Sequence, residues 1–282
     1  MGDLYLGLLV LAVVSVALFA AGRAIGRRVS ARAVNGISGL TVVALIAYIA
    51  GLWDQTVLVR WLPFSNLIVL GNWFSCEAAF LGGLASAPAS MPAWRRGFTV
   101  AVLQLAGVFV VLFPLIGSAP RCGNAWVDGV CLQTTKQTCS PAAAATLLHM
   151  HGIPATEQEM AELCLTRQGT NWMGLYRGLK TKTAGTEWDV DVFTGTADDL
   201  HTLKSPAILS VGLSSSSQAD RLYQTELGWT PGVRHSVVLL GFITDLVEIA
   251  EPSPDAGRER WTNEDLQELY LGQGMRLVRR AK

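Results

Sequence analysis

The segment Gln133-Thr-Thr-Lys-Gln-Thr-Cys139-Ser140-Pro141, followed directly by Ala142-Ala-Ala-Ala-Thr-Leu-Leu148, places a cysteine at the start of an alanine-rich helix. Alanine has the highest helix propensity, and serine and proline are favoured at the first helical positions. A thiol there lies at the positive end of the helix dipole, which stabilises the thiolate. The segment therefore predicts a nucleophilic cysteine at position 139, with a buried structural cysteine as the alternative.

The distribution of charge divides the chain into two parts near Ser118. Residues 1–118 contain ten charged side chains and no lysine, whereas residues 119–282 contain the other 34. An apolar part suited to lipid is therefore followed by a domain of about 160 residues, which is long enough to bury its own core. The formal net charge of zero and the lack of a basic patch argue against nucleic acid as a partner.

Four apolar segments of the first part are long enough to cross about 30 Å of hydrocarbon. They comprise residues 4–22, 36–53, 66–87 and 98–117 and predict an all-α membrane module of about four helices. The first differs from a cleavable signal peptide because Asp3 replaces the usual positive N-terminal region. The third contains Asn72 and Glu77, so it either crosses with Glu77 facing a neighbouring helix or a cavity, or only dips into the membrane.

The arginines of this module predict its orientation. The first connection contains Arg23, Arg27, Arg28 and Arg32, and the third contains Arg95 and Arg96. The second contains a single arginine, Arg60. Arginine-rich connections stay in the cytoplasm, which leaves the domain of residues 119–282 on the extracytoplasmic side of the membrane. That domain would lie in the cytoplasm if the third segment does not cross.

Cys122 and Cys131 flank a short loop with glycine and asparagine turn residues. This spacing allows a disulfide, which is expected only in an oxidising compartment and agrees with the predicted orientation. A metal site is disfavoured because neither a second cysteine pair nor nearby histidines complete four ligands. Cys164 is expected in the core, on the apolar face of its helix.

The second part is predicted to contain helices followed by an antiparallel sheet. Helices are expected from Cys139 to about residue 152, from the capping box of residues 156–159 to about residue 165, and from residues 169–171 to about residue 182. Strands are expected at residues 188–193, 206–211, 235–242, 247–250 and 275–278, and a short helix from Trp261. Helices first and then an antiparallel sheet is the α+β pattern.

His235 is the histidine best placed to serve Cys139. His149 and His151 follow the thiol on or just past the same helix, so they point away from its start, and His201 lies in a polar stretch. His235 opens a predicted strand, and Glu251 ends the strand with which it is expected to pair. A hairpin would let Glu251 accept a hydrogen bond from the imidazole and hold its tautomer, as in a catalytic triad. The alternative is a plain strand-edge histidine and a solvated carboxylate.

Gln133 completes the predicted site. A carboxamide near the thiolate can donate a hydrogen bond to the oxyanion of a tetrahedral intermediate. Gln137 is the rival for this role, although it is less well placed because it precedes Cys139 by only two residues.

Residues 131–282 resemble the papain-like cysteine peptidases that process the double-glycine leader peptides of bacteriocins. The resemblance lies in Gln133-x5-Cys139 and the helix that follows, in Gly-Thr-Asn-Trp-Met-Gly-Leu at 169–175, and in His235-Ser-Val-Val-Leu-Leu-Gly-Phe with Glu251-Pro252 sixteen residues later. It implies a bacterial protein with a papain-like α+β fold. By this likeness Cys139 is the nucleophile, His235 the base, Glu251 the third member and Gln133 the oxyanion donor.

The chain departs from that family in three respects. The family usually has Asp-Cys-Gly where this chain has Thr138-Cys139-Ser140, and Asp-Pro where this chain has Glu251-Pro252. Leader peptidases also work with an ATP-driven exporter in the cytoplasm, whereas this sequence has no Gly-x4-Gly-Lys-Ser/Thr phosphate loop and its domain is expected to face outward. Leader processing is therefore a poor prediction of the substrate.

Two functions remain open from the sequence. The first is a cysteine peptidase anchored in the bacterial inner membrane, which hydrolyses a peptide or protein substrate without a cofactor. The second is a catalytically degenerate domain that serves as a binding or assembly subunit beside other membrane subunits.

Overall fold

The chain divides into two structural units, Met1–Ile116 and Gly117–Lys282. The computed structural model describes residues 1–53, 55, 57–87, 91–214, 221–225 and 228–280. The first unit is all helical, and the second combines helices with two β-sheets.

The described residues of the first unit form six α-helices: α1 Gly2–Arg28, α2 Ala31–Gly51, α3 Val57–Trp61, α4 Leu67–Leu70, α5 Phe74–Ser86 and α6 Ala93–Leu112. By length and composition, four helical segments among the described residues could cross a membrane: Gly2–Arg28, Ala31–Gly51, Leu67–Ser86 and Ala93–Leu115. Each of these overlaps one of the four apolar segments recognised in the sequence.

The third of these segments forms the centre of the unit. In its most apolar stretch 61% of the residues are buried, compared with 17% or less in the other three. The helix is interrupted between α4 and α5, where Tyr48 donates its hydroxyl to the Gly71 carbonyl and Asn72 donates to the Val110 carbonyl at 3.1 Å. The Oε2 atom of Glu77 is buried within the unit. Side chains of the neighbouring helices thus supply part of the hydrogen bonding that the broken helix lacks.

Glycines allow α1 and α5 to approach each other closely. A Cβ at Gly22 would lie 2.4 Å from the Phe80 carbonyl oxygen, and a Cβ at Gly83 would lie 2.2 Å from that of Phe19. Neither distance is tolerated, so both positions require glycine at this spacing of the helices. Small residues at such contacts are typical of helix packing in membranes.

In the part of the second unit that the structure describes, there are five α-helices and eight strands. The helices are α7 Cys139–Met150, α8 Glu157–Leu163, α9 Trp172–Lys182, α10 Arg221–Thr225 and α11 Asn263–Leu269. The strands are β1 Ala125–Val127, β2 Val130–Leu132, β3 Trp188–Thr194, β4 Ala207–Val211, β5 His235–Ile243, β6 Leu246–Glu251, β7 Gly257–Thr262 and β8 Tyr270–Arg279. The predicted α+β class is confirmed.

The main sheet is antiparallel, with the strand order β3-β8-β4-β5-β6-β7. The edge strand β7 was not predicted, and the helix expected to open at Trp261 instead begins at Asn263, capped by Thr262 and Asp265. The sequence Gly-Arg-Glu-Arg-Trp-Thr of β7 lacks the apolar alternation of a half-buried strand, because most of its side chains face solvent at the sheet edge.

Helix α7 is buried from Ser140 to Leu148. Each of the four alanines at 142–145 is at most 1% exposed, and the helix packs against β2, β5, α8 and α9. Methyl side chains allow this close packing at little cost in conformational entropy. The N-terminus of α7, which carries Cys139, is thereby fixed against the sheet.

The predicted disulfide between Cys122 and Cys131 is wrong in this structure, in which all five cysteines of the chain lie in the described part and are free. The backbone N–H of Cys122 is held by Gln158, and that of Cys131 by Thr146. Burial and the nearby Glu157 carboxylate raise the pKa of Cys122 to about 11 and of Cys131 to about 12. Both groups are therefore protonated thiols at neutral pH. Cys164 is fully buried in the core, as predicted.

Candidate active site

Cys139 is the first residue of α7 and remains partly exposed. The turn before it is held by Thr138, whose backbone N–H donates to the Thr135 carbonyl at 3.1 Å and whose hydroxyl accepts the Thr135 N–H at 3.0 Å. The helix then begins with a hydrogen bond from Ala142 N–H to the Thr138 carbonyl. The thiol thus lies at a helix N-terminus with a fixed backbone.

His235 and Glu251 are brought together by the hairpin of β5 and β6. His235 is the first residue of β5 and Glu251 is the last residue of β6. The His235 Nε2 atom lies 2.6 Å from Glu251 Oε1, and the two side chains are 18% and 7% exposed. A short, nearly buried contact between an imidazole and a carboxylate orients the ring and favours its protonated form.

The same oxygen of Glu251 accepts two hydrogen bonds from Ser253. The Ser253 backbone N–H donates at 2.9 Å and its hydroxyl at 2.6 Å. Burial alone would raise the pKa of Glu251, but the hydrogen bonds from His235 and Ser253 and the charge of His235 lower it. Glu251 is therefore an ionised carboxylate at neutral pH.

Cys139 and His235 form the other half of the arrangement. Burial opposes a charged thiolate, but hydrogen bonds from the His235 ring and the Ser236 backbone N–H lower the pKa of Cys139. Burial likewise opposes the imidazolium, but hydrogen bonds to Cys139 and Glu251 raise the pKa of His235 to about 10. Since Nε2 contacts Glu251, Nδ1 is the ring nitrogen left for the thiol. The electrostatics favour a thiolate–imidazolium pair at neutral pH.

Gln133 lies directly after β2, and its backbone N–H donates to the Pro252 carbonyl at 2.6 Å. This bond ties the segment before Cys139 to the end of β6, next to Glu251. The Oε1 atom of Gln133 is buried. Gln137 is exposed in the turn before α7, where its backbone N–H donates to the Thr135 hydroxyl. Of the two candidates, Gln133 is the one whose side chain points into the protein.

The remaining histidines make separate contacts. The ring of His149 packs against Trp126 and that of His151 against Trp188, and His201 stacks on Phe242 at a centroid distance of 4.0 Å. These contacts agree with the prediction that none of the three serves Cys139. Among the described residues, no group of three or more His, Cys, Asp or Glu side chains is arranged to hold a metal ion.

Three residues around the site were not recognised from the sequence: Ser236, Ser253 and Trp229. Ser236 follows His235 and Ser253 follows Glu251-Pro252, so a search for hydroxyls beside the predicted residues would have found both. Trp229 packs its ring edgewise on His235, with the centroids 5.9 Å apart. It lies in an irregular loop, where no sequence periodicity indicates the contact.

The arrangement has the components of acyl transfer to a cysteine. A partly exposed sulfur with a lowered pKa supplies the nucleophile, and an imidazole held by a carboxylate can move a proton. The contact with Glu251 orients the His235 ring, so that its other nitrogen faces the sulfur and therefore any group bonded to that sulfur.

Comparison with known proteins gives several structural relatives. The peptidase domain of Streptococcus ComA, a bifunctional ABC transporter involved in quorum sensing, is 21% identical, with 53% of this chain and 96% of that chain covered and a TM-score of 0.41. A double-glycine-motif protease from an AMS/PCAT transporter, in complex with its leader peptide, is 14% identical over 58% of this chain and 96% of its own, with a TM-score of 0.40. A C39-like peptidase from Bacillus anthracis is 15% identical over 59% of this chain and 100% of its own, with a TM-score of 0.41.

Curated protein sequences give no match to the chain. The model of the Peptidase C39 family matches residues 129–281, which is more than half of the 282 residues and includes all four residues of the predicted site. The chain therefore belongs to the Peptidase C39 family, and its second unit is a papain-like cysteine peptidase domain.

Proposed function

We propose that the protein is a membrane-anchored cysteine peptidase that hydrolyses peptide bonds through Cys139, His235 and Glu251, with Gln133 as oxyanion donor. The observation that carries the proposal is the continuous set of contacts from the thiol through the imidazole to the carboxylate, which ends at 2.6 Å between His235 and Glu251. This arrangement supplies both a nucleophile and a proton carrier at one place on the surface.

The reaction follows from these positions. The Cys139 thiolate attacks the carbonyl carbon of the scissile bond, and the negative charge moves to the carbonyl oxygen, to which Gln133 donates a hydrogen bond. As the C–N bond breaks, the His235 imidazolium gives its proton to the leaving amine, and a thioester with Cys139 remains. Neutral His235 then takes a proton from water, which attacks the thioester, and collapse of the second tetrahedral intermediate releases the carboxylic acid and restores the thiolate.

Glu251 stabilises the imidazolium during this cycle. Its carboxylate accepts from His235 and from both donors of Ser253, so it is held in place before substrate binds. Preorganisation of this kind reduces the reorganisation needed when charge develops in the transition state.

We further propose that the first unit anchors the domain in a bacterial inner membrane, with the domain on the extracytoplasmic side. Four helices of sufficient length and apolar character support the anchor. The arginine-rich first and third connections support the orientation. In this arrangement the substrate is a peptide or protein segment near the extracytoplasmic surface of the inner membrane, where an anchored domain can reach it. A leader peptide is bound in the structure of one relative.

The departures from the family pattern at Ser140 and Glu251 are compatible with the proposed chemistry. The longer carboxylate of Glu251 reaches His235, and Ser140 directs its hydroxyl to another hydroxyl at 2.8 Å rather than displacing the thiol. We therefore give the catalytic function precedence over the assembly function.

A thiol-directed peptide probe tests the proposal on the purified full-length chain in detergent. Wild type should be labelled at Cys139, and Cys139→Ala should abolish labelling. Cys131→Ala provides the matched control, because Cys131 is buried and protonated, and this variant should label like wild type. Equal labelling of wild type and Cys139→Ala would refute the proposed nucleophile.

The membrane orientation requires a separate test. A reporter fused to the C-terminus, active only outside the cytoplasm, should be active in whole cells, and a reporter active only in the cytoplasm should be silent. The opposite pattern would place the domain in the cytoplasm. It would also indicate that the third segment does not cross.

A further inference from the structure

A buried pair of hydroxyls joins the nucleophile's helix to the base's strand. The Oγ atoms of Ser140 and Ser236 lie 2.8 Å apart, and the two residues are only 6% and 5% exposed. Ser140 is in the first turn of α7, directly after Cys139, and Ser236 is in β5, directly after His235. Their hydrogen bond therefore spans the point where the two catalytic elements meet.

Both serines also contact the sulfur of Cys139. The Ser140 hydroxyl lies 4.0 Å from Cys139 Sγ, and the Ser236 backbone N–H donates to the same atom. If Ser236 donates to Ser140, the Ser140 hydrogen is free to point at the sulfur. In that arrangement the thiolate receives one donor from the backbone of β5 and a second from the side chain of α7.

The pair fixes the sulfur relative to the imidazole. His235 is held on one side by Glu251, and Cys139 is held at the start of a buried helix. Besides the contact of Cys139 with His235 itself, the hydrogen bond of Ser140 and Ser236 joins side chains of these two elements beside the thiol. Without it, α7 and β5 would still pack through apolar contacts, but the distance from the sulfur to the ring would be less well defined.

We propose that Ser140 and Ser236 are positioning residues. They hold the sulfur of Cys139 beside the His235 ring and donate hydrogen bonds to the thiolate. This proposal rests on the proposed function, because it concerns the nucleophile assigned there. The pair does not touch the scissile bond, and its effect passes through Cys139 alone.

The test is the rate of alkylation of Cys139 by iodoacetamide across a pH series, followed by mass spectrometry of the Cys139 peptide. It uses the full-length chain in detergent and the variants Ser140→Ala, Ser236→Ala and the double variant. At pH values below the ordinary range for a thiol, each single variant should react about three- to tenfold more slowly, the factor that a hydrogen bond of ordinary net strength supplies. The rates should converge at high pH, where every variant is a thiolate.

Thr146→Ala is the matched control. Thr146 is a buried hydroxyl on the same helix, and it accepts the Cys131 N–H rather than contacting the site. Its loss should cost comparable stability without altering the pH profile of Cys139. The double variant should be little slower than Ser140→Ala, because that substitution already removes both the hydrogen bond of the pair and the side-chain donor to the sulfur.

The outcomes separate this proposal from the function on which it rests. If wild type reacts at low pH and both folded serine variants match it, the positioning role is wrong and the proposed nucleophile stands. If wild-type Cys139 itself reacts only at the pH of an ordinary thiol, the thiolate–imidazolium pair is wrong. Melting temperatures of the variants identify any change that results from unfolding.

Discussion

Ser253 donates both its backbone N–H, at 2.9 Å, and its hydroxyl, at 2.6 Å, to the oxygen of Glu251 that also contacts His235. Three donors on one oxygen hold the carboxylate ionised and fixed. The glutamate at this position therefore has a defined rotamer in spite of its additional methylene group. Ser253 thus fixes the Glu251 carboxylate, and that carboxylate in turn orients the His235 imidazole.

Glu251→Gln should reduce kcat/KM by about tenfold or more, because the amide accepts a hydrogen bond but carries no charge to stabilise the imidazolium. Wild-type activity should fall as the pH drops through the lowered pKa of Cys139, and also as it rises through the pKa of His235 near 10. Loss of the carboxylate lowers the pKa of His235, so the upper limb should move to lower pH. The pH dependence of peptide hydrolysis measures both limbs.

Ser253→Ala is a milder change around the same carboxylate and serves as the control for Glu251→Gln. It removes the hydroxyl donor and keeps the backbone donor, so its effect on kcat/KM should be smaller than that of Glu251→Gln. An unchanged upper limb in Glu251→Gln would mean that the carboxylate does not control His235.

Gln133→Ala should lower kcat by about 10²–10³ with little change in KM, the loss that follows removal of one oxyanion donor. Gln137→Ala is the matched control, because it removes the same carboxamide from an exposed position in the same turn and should leave kcat unchanged. Steady-state kinetics on a fluorogenic peptide distinguish the two. A reversed pattern would assign the oxyanion role to Gln137.

The elements that carry the catalytic residues were predictable because their signals are local. Alanine propensity marks α7, a continuous apolar run marks β5, and the valine and isoleucine of Val-Glu-Ile mark β6. The pairing of His235 with Glu251 followed from hairpin geometry alone. These features depend on residues that are close in sequence, and the structure preserves them.

The parts that the sequence did not predict depend on tertiary contacts. Strand β7 lacks an apolar pattern and exists because β6 offers it a partner along its whole length. Trp229 reaches His235 from an irregular loop. The spacing of Cys122 and Cys131 allowed a disulfide, but both are free thiols in the structure, and burial and the Glu157 carboxylate raise the pKa of each.

Five thiols should be alkylated in the denatured chain under non-reducing conditions. The structure has five free cysteines, and the raised pKa values of Cys122 and Cys131 disfavour the thiolate that begins disulfide exchange. Intact-mass analysis after iodoacetamide treatment counts the adducts. Three adducts, with a fourth and fifth after reduction, would show that two of the five cysteines are bridged and would contradict the free thiols of the structure.

Trp229→Ala should lower kcat/KM by about three- to tenfold, since an aromatic contact of this kind contributes about 0.5–1.5 kcal/mol. The rings of Trp229 and His235 pack in an edge-to-face arrangement, and loss of the indole should admit water to the His235–Glu251 pair. Trp229→Phe should retain much of the activity.

A second tryptophan–histidine contact supplies the control for Trp229. Trp188 packs edgewise on His151 with a centroid distance of 4.5 Å, away from Cys139. Trp188→Ala should lower stability without changing kcat/KM. Equal losses of activity in the two variants would indicate a general effect of tryptophan removal on folding.

Gly83→Leu should destabilise the first unit by about 1–3 kcal/mol or more, the range found when a packed core is overfilled. A Cβ at this position would lie 2.2 Å from the Phe19 carbonyl oxygen, so α1 and α5 would have to separate. Gly39→Leu adds the same side chain to α2, where a Cβ meets nothing within 4 Å, and should leave stability unchanged. Thermal unfolding of the full-length chain in detergent compares the two. Because α5 is the most buried helix of the unit, equal melting temperatures would mean that its contact with α1 does not hold the bundle together.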